Sequence, residues 1–215
     1  MNRLHNQSLM IYRSLVWLCT IFLSAILFKL ALPENSYFIL SYIALVPIIL
    51  LLESSNNIKK AFFIGLVFGS FVTLLVSNWL IDTAALFFNT NQLISWLFLL
   101  EVSLIVGLVY GLITSLYKTL RLYIKNVFLL PVTYLFFALI IDPTLSPLLA
   151  YGHAEFLFGI QSVDLFGIYG LEFIILLINS LIAQLILNGG LNATLSRMNI
   201  ATFIAIGIVM TWYAI

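Results

Sequence analysis

Residues 61–80 read AFFIGLVFGSFVTLLVSNWL, a run of twenty residues that contains no charged side chain. A helix needs about 20 mostly apolar residues to cross the hydrocarbon core of a bilayer. The run therefore predicts a membrane-spanning helix. Lys59 and Lys60 come directly before it and Asp82 follows it, so charged residues stand at both ends, where such a helix would leave the hydrocarbon.

The composition of the whole chain agrees with this interpretation. The chain has 215 residues, of which 63% are hydrophobic and 8% are charged, whereas a soluble domain is typically about 25% charged. We therefore predict an integral membrane protein. The net charge of +1 gives no indication of a nucleic-acid partner. The single cysteine, Cys19, excludes an internal disulfide, and the long first apolar run indicates an uncleaved span rather than a signal peptide.

Outward from residues 61–80, the hydropathy pattern predicts an all-α, polytopic transmembrane helical bundle with about seven spans. We expect residues 1–215 to form a single membrane domain. The predicted spans are 15–32, 37–52, 61–81, 93–117, 126–141, 165–187 and 200–215.

The distribution of Lys and Arg predicts the orientation, because cytoplasmic loops carry an excess of these residues. With seven alternating spans, one side receives Arg3, Arg13, Lys59, Lys60, Lys118, Arg121, Lys125 and Arg197. The loops on the other side contain acids but no Lys or Arg: Glu34, Asp82, Asp142, Glu155 and Asp164. The N-terminus is therefore expected inside and the C-terminus outside. Lys29 lies near the outer end of the first span, where its side chain can snorkel to the interface.

Two pairs of glycines favour close helix packing. Gly65 and Gly69 are four residues apart in the third predicted span, and Gly107 and Gly111 are four apart in the fourth. This spacing places both glycines of a pair on one helix face, where another helix can approach closely. We expect these four residues to serve packing and not chemistry.

The longest predicted outer loop contains SPLLAYGHAEF, residues 146–156, which is more apolar than an ordinary solvated connection. Non-helical backbone at membrane depth must be buried in protein or line a cavity, so this loop is a candidate entrance to a lipid site. His153 and Glu155 within it could form an acid/base pair or a simple hydrated pair at the interface. A metal site is not expected, because such sites usually need three or more protein ligands.

Two acids lie inside predicted spans, and Trp79 lies at the outer end of another. Glu101 and Glu172 could each face a polar cavity or form a hydrogen bond to a neighbouring helix. The sequence does not decide between these roles. Trp79 is typical of the aromatic residues that gather at membrane interfaces.

The order of these features resembles the N-terminal membrane domain of bacterial apolipoprotein N-acyltransferases. The resemblance is carried by LSYIALVPIILLL (40–52), residues 61–80, LLPVTYLFFALI (129–140), residues 146–156 and FGIYGLEFIILLINSLIAQLIL (166–187). The positions that match the family's loop and following span are Pro147, Gly152, Gly167, Tyr169, Gly170, Phe173 and Asn179. Leu148 replaces the family's Trp after the Pro, and residues 153–155 replace its Tyr-Ser-Gln.

The resemblance implies a multi-pass protein of the bacterial inner membrane that handles phospholipid and a lipoprotein substrate. In the intact family enzyme, an acyl chain moves from phospholipid to the N-terminal amine of a diacylated lipoprotein. A nitrilase-like domain with a Glu-Lys-Cys triad follows the seventh span there, whereas this chain ends at Ile215. We therefore expect no catalytic residue and no cofactor in this chain, and docking of lipid or lipoprotein as its role. A separate nitrilase-like polypeptide would complete the enzyme.

By this resemblance and by their place in the outer loop or near the outer span ends, eight residues are candidates for lipid or substrate binding. They are Trp79, Pro147, Leu149, Gly152, His153, Glu155, Tyr169 and Glu172. Two other functions fit the composition as well. One is a small multi-span substrate-binding subunit of a transporter, and the other is an orphan membrane scaffold.

Overall fold

The computed structural model describes residues 2–35, 37–89, 91–140 and 148–188, together with residue 201. Within this part of the chain there are seven α-helices, three short 3-10 segments and no strand. The helices are α1 (Asn2–Ala31), α2 (Val46–Glu53), α3 (Ile58–Val76), α4 (Trp79–Phe88), α5 (Gln92–Arg121), α6 (Leu129–Ala138) and α7 (Leu157–Leu187). The 3-10 segments are Pro33–Asn35, Phe38–Tyr42 and Leu149–His153. The predicted all-helical class is confirmed for these residues.

Within the described residues, four stretches of helix are long and apolar enough to cross a membrane. They are Ser14–Ala31 in α1, Ile58–Val76 in α3, Gln92–Arg121 in α5 and Gly167–Leu187 in α7. Helices α2, α4 and α6 are apolar but have only eight to ten residues. The seventh predicted span, 200–215, falls outside the described residues apart from Ala201.

The second predicted span is not one continuous helix. The 3-10 segment Phe38–Tyr42 is followed by a turn, and α2 begins only at Val46, with a proline in its first turn. Pro47 has no backbone N–H, so it cannot bond to a carbonyl of a preceding helical turn. The proline therefore allows a helix to start here but prevents the upstream helix from running through.

Other helix boundaries also differ from those predicted from the sequence. Helix α3 ends at Val76, and a turn at Ser77 and Asn78 leads into α4, so Trp79 begins a new helix instead of closing a span. Helix α6 is shorter than the predicted 126–141. Helix α7 begins at Leu157, within what the sequence suggested was loop.

Helices α3 and α5 pack antiparallel to each other, with the most extensive contact between any two described helices. The Thr114 hydroxyl donates a hydrogen bond to the Ala61 carbonyl at 2.8 Å. At the other end of the contact, the Ser70 hydroxyl donates to the Ser103 carbonyl at 3.1 Å. These two bonds fix which parts of the helices meet.

The four glycines of the two pairs lie in this contact. A β-carbon added at Gly65 would overlap the Thr114 hydroxyl and the Tyr110 carbonyl. One added at Gly69 would lie 2.7 Å from the Tyr110 ring, and one at Gly111 would lie 2.9 Å from Phe62. At Gly107 it would lie 2.7 Å from the Leu66 carbonyl oxygen. The two backbones approach too closely here for larger residues.

The surface is apolar and the interior holds polar groups, as in a protein surrounded by lipid. On α5, Leu104 is 56% exposed and Leu112 is 52% exposed, whereas Ser103 and Thr114 are buried. Glu101 lies on the exposed side of the same helix. The apolar helices and outer surface support a membrane protein, in agreement with the composition.

Polar side chains join the end of α2 to the end of α5. Arg121 Nε lies 2.9 Å from Glu53 Oε1, and the Tyr117 hydroxyl donates to the same carboxylate oxygen. The buried Lys118 ammonium donates to the Leu52 carbonyl at 3.0 Å. The cations thus meet carbonyl and carboxylate oxygens at the C-terminus of α2, where positive charge is favourable.

Candidate functional site

A cavity of about 590 Å³ lies where the end of α1, the segment Leu149–His153 and α7 meet. This volume falls within the range of about 300–1,000 Å³ that is usual for small-molecule sites. The lining residues are Leu32, Pro33, Glu34, Ala150, Tyr151, His153, Ala154, Val163, Ile168 and Leu171. Only Glu34, Tyr151 and His153 among them have polar side chains, so the walls suit an apolar ligand with a polar end.

The segment Leu149–His153 forms one wall and is held from three sides. The buried Glu172 on α7 accepts a hydrogen bond from the Ala150 amide at 2.8 Å. Gly152 lies so close to α1 that an added β-carbon would overlap the Ala31 carbonyl oxygen. His153 Nε2 lies 3.0 Å from the Tyr42 hydroxyl. These contacts fix the position of this short 3-10 segment.

His153 is the most enclosed polar side chain of the cavity wall, at 1% exposed. Its ring packs edge-on against Phe38 and Tyr42. Burial lowers the pKa of His153 below its ordinary value, so the imidazole is neutral at pH 7.

Helix α7 also supports irregular backbone with Asn179. Asn179 Oδ1 accepts a bond from the Leu45 amide at 2.8 Å, and Nδ2 donates to the Ser41 carbonyl at 2.8 Å. Asn179 lies two turns after Glu172, so both side chains leave the same face of α7. Backbone that is not helical must find such partners inside a membrane protein, because hydrocarbon offers none.

Gly167 bends α7 within the cavity wall. Its φ is +70° and its ψ is 174°, outside the helical region, and a non-glycine residue would be strained there. Val163 lies before the bend, whereas Ile168 and Leu171 lie after it, and all three line the cavity. The shape of this wall therefore depends on the backbone conformation of one residue.

Four of the predicted binding residues come together around the segment Leu149–His153. Leu149, Gly152 and His153 belong to the segment and are buried within the protein, and Glu172 contacts it from α7. Of these four, only His153 lines the cavity of about 590 Å³. Glu172 is 0% exposed, so it does not reach the surface near the end of its helix.

The remaining predicted residues lie apart. Glu155 is exposed and lines a smaller neighbouring cavity of about 160 Å³ together with Gly152. Tyr169 is half-buried and packs against the core. Trp79 is 54% exposed on α4 and is not part of either lining. Pro147 lies outside the described residues.

Glu34 and Tyr42 also belong to the site, although neither was predicted as part of it from the sequence. Glu34 was noted only as an acid of an outer loop, although that position already placed it on the same side as residues 146–156. Nothing in the sequence linked Tyr42 to His153, since they are 111 residues apart. No group of three or more His, Cys, Asp or Glu residues that could hold a metal ion occurs in the described ranges.

The larger part of the chain matches a known protein family. Residues 24–181 match the family model described as the apolipoprotein N-acyltransferase N-terminal domain. The matched range includes every residue that lines the cavity of about 590 Å³. No curated protein matches the chain.

Proposed function

The chain belongs to the apolipoprotein N-acyltransferase N-terminal domain family, and from this membership we propose that it docks lipid substrates in the bacterial inner membrane. The family and the N-terminal domain inferred from the sequence are thereby confirmed. The proposed substrates are phospholipid and lipoprotein, and the acyl transfer itself is assigned to a nitrilase-like catalytic unit. The observation that carries the proposal is the largely apolar, open cavity bordered by residues 32–34, by α7 and by the segment Leu149–His153.

The cavity suits an acyl chain because of its walls and its opening. Leu32, Val163 and Leu171 offer apolar side chains, and Glu34 is exposed at the mouth. The transfer of apolar surface from water into such walls is favourable. Glu172 and Tyr42 hold the wall in place from behind, so the cavity does not depend on the ligand for its shape.

We further propose the single-domain, multi-pass topology with the N-terminus inside and seven spans. Lys60 Nζ lies 3.9 Å from the centre of the Trp17 ring. The start of α3 therefore lies beside the middle of α1. The bond between Thr114 and Ala61 brings the end of α5 to the same level. Lys59, Lys60, Lys118 and Arg121 therefore gather at one end, which supports a cytoplasmic assignment for that end and an outer position for the cavity.

This topology predicts which positions an impermeant thiol reagent reaches in intact cells. In a Cys19→Ser background, Tyr37→Cys should be labelled, because Tyr37 is exposed at the outer end of the bundle. Asn56→Cys and Tyr123→Cys should be labelled only after the membrane is permeabilised. Both side chains are exposed, so accessibility within the protein does not separate the three sites. Labelling of Asn56→Cys in intact cells would contradict the proposed orientation.

The docking proposal predicts that filling the cavity abolishes lipid capture. Ala154 lines the cavity, and Ala154→Trp should prevent the purified protein in detergent from being labelled by a phospholipid with a photoreactive acyl chain. Ala85→Trp is the matched control, because Ala85 lies on α4 outside the cavity lining. Equal labelling of both variants and the parent protein would show that the lipid binds elsewhere and would refute the proposal.

A further inference from the structure

A stripe of exposed side chains runs along α5 on the side that faces away from α3. Its members recur every three or four residues, so they share one face of the helix. They are Ile94, Leu97, Glu101, Ile105, Leu108 and Leu112, all of them exposed. From Ile94 to Leu112 the stripe measures about 27 Å, close to the hydrocarbon thickness of a bilayer, which is about 30 Å. We call this surface the Glu101 stripe.

Glu101 is the only polar member of the Glu101 stripe, and it lies inside the stripe and not at its edge. The helix rise places Glu101 about 10 Å from Ile94 along the axis, and apolar members continue toward both ends. Its carboxylate forms no hydrogen bond or ion pair with any other residue that the structure describes. Charged side chains within membrane spans nearly always face the protein interior or a partner, so an exposed acid at this depth points to a partner outside the described fold.

We propose that the Glu101 stripe binds a transmembrane helix of another protein, and that this helix carries a lysine or arginine at the depth of Glu101. The apolar members of the stripe offer packing surface on both sides of the carboxylate, and the cation of the partner neutralises it. The attraction between opposite charges is stronger where hydrocarbon excludes water. This inference does not depend on what the cavity near α7 binds.

The charges of the chain favour a different protein over a second copy of the same chain. The exposed lysines among the described residues are Lys59, Lys60 and Lys125, all near the end of the bundle where α3 begins and α5 ends. Lys29 lies nearer the opposite end but is half-buried on α1. A second copy that is aligned in the same direction therefore presents no exposed lysine of the described ranges to Glu101.

Synthetic transmembrane helices test the proposal in phosphatidylcholine vesicles that contain the full chain. The photoreactive residue p-benzoylphenylalanine replaces Ile105, which is exposed one turn from Glu101. The probes are polyleucine helices of about 21 residues that differ only at a middle position, which is lysine, leucine or glutamate. The lysine helix should be captured about five- to tenfold more efficiently than the leucine helix, as expected for one polar contact between membrane helices. The glutamate helix should be captured no better than the leucine helix.

Two variants show whether the preference for lysine comes from Glu101. Glu101→Leu should reduce capture of the lysine helix to the level of the leucine helix. Asp82→Leu is the matched control, because Asp82 is also an exposed acid but lies on α4, and it should leave capture unchanged.

Equal capture of the three helices, or an unchanged preference for lysine in Glu101→Leu, would overturn the proposal. Vesicles without added helix provide a further test. If Ile105→p-benzoylphenylalanine is then captured by a second copy of the chain, the Glu101 stripe is a surface for self-association and the assignment to a different protein is wrong.

Discussion

Replacing Asn179 with leucine is expected to lower the free energy of unfolding in detergent by about 2–6 kcal/mol. Asn179 is fully buried and satisfies the Leu45 amide and the Ser41 carbonyl, both in backbone that is not α-helical. Leucine has a similar size but offers no hydrogen bond, so two buried backbone groups would lose their partner. Each such loss costs about 1–3 kcal/mol. Denaturation followed by circular dichroism would measure the change.

The neighbouring residue provides the control for this substitution. Ser180 is also buried on α7, but its hydroxyl has no hydrogen-bond partner among the described residues. Ser180→Ala should therefore change stability little. If Asn179→Leu were as stable as Ser180→Ala, the bonds to residues 41–45 would contribute nothing to the fold.

Gly65→Leu should lower the free energy of unfolding by about 3 kcal/mol or more, because overpacking of a tight contact forces backbones apart. A β-carbon at this position already overlaps the Tyr110 carbonyl, which is backbone and cannot rotate away. The α3–α5 pair would have to separate, with loss of the bond between Thr114 and Ala61. Thermal unfolding in detergent would measure the effect, with the loss of monodisperse protein on heating as the readout.

Cys19→Leu is the matched control for added bulk, because Cys19 is exposed on α1, where a larger side chain meets lipid or detergent. Gly65→Ala should cost less than Gly65→Leu but more than Cys19→Leu. A Gly65→Leu protein with the stability of its parent would mean that α3 and α5 do not pack as described.

The parts of the fold that depend on local pattern could be predicted from the sequence. Hydropathy located the long helices α3 and α5, and the glycine spacing drew attention to the residues where they meet. The break between Tyr42 and Val46 could not be read in the same way, because residues 37–52 are apolar whether they form one helix or two pieces. What stabilises the break is Asn179, 134 residues away from Leu45 in sequence.

In the candidate site, too, the features with a local sequence pattern were predictable and those that depend on distant residues were not. Residues 146–156 were found because Pro, Gly, His and Glu interrupt an apolar chain, which is a local signal. The role of Glu172 was not predictable, since an acid within a span could equally face a cavity or a neighbouring helix. Its partner proved to be the Ala150 amide, and the choice between these roles depends on how α7 packs against the segment Leu149–His153. The same applies to Glu34, which lines the cavity together with residues of that segment and of α7.

The bend at Gly167 has a consequence for access to the cavity. Val163 and Ile168 stand on opposite sides of a single rotatable joint, so a small change in the Gly167 dihedral angles swings one part of the wall relative to the other. A rotation at Gly167 displaces the first residues of α7 most, because they lie farthest from the bend. The width of the cavity opening thus depends on one residue, whose positive φ glycine alone adopts readily.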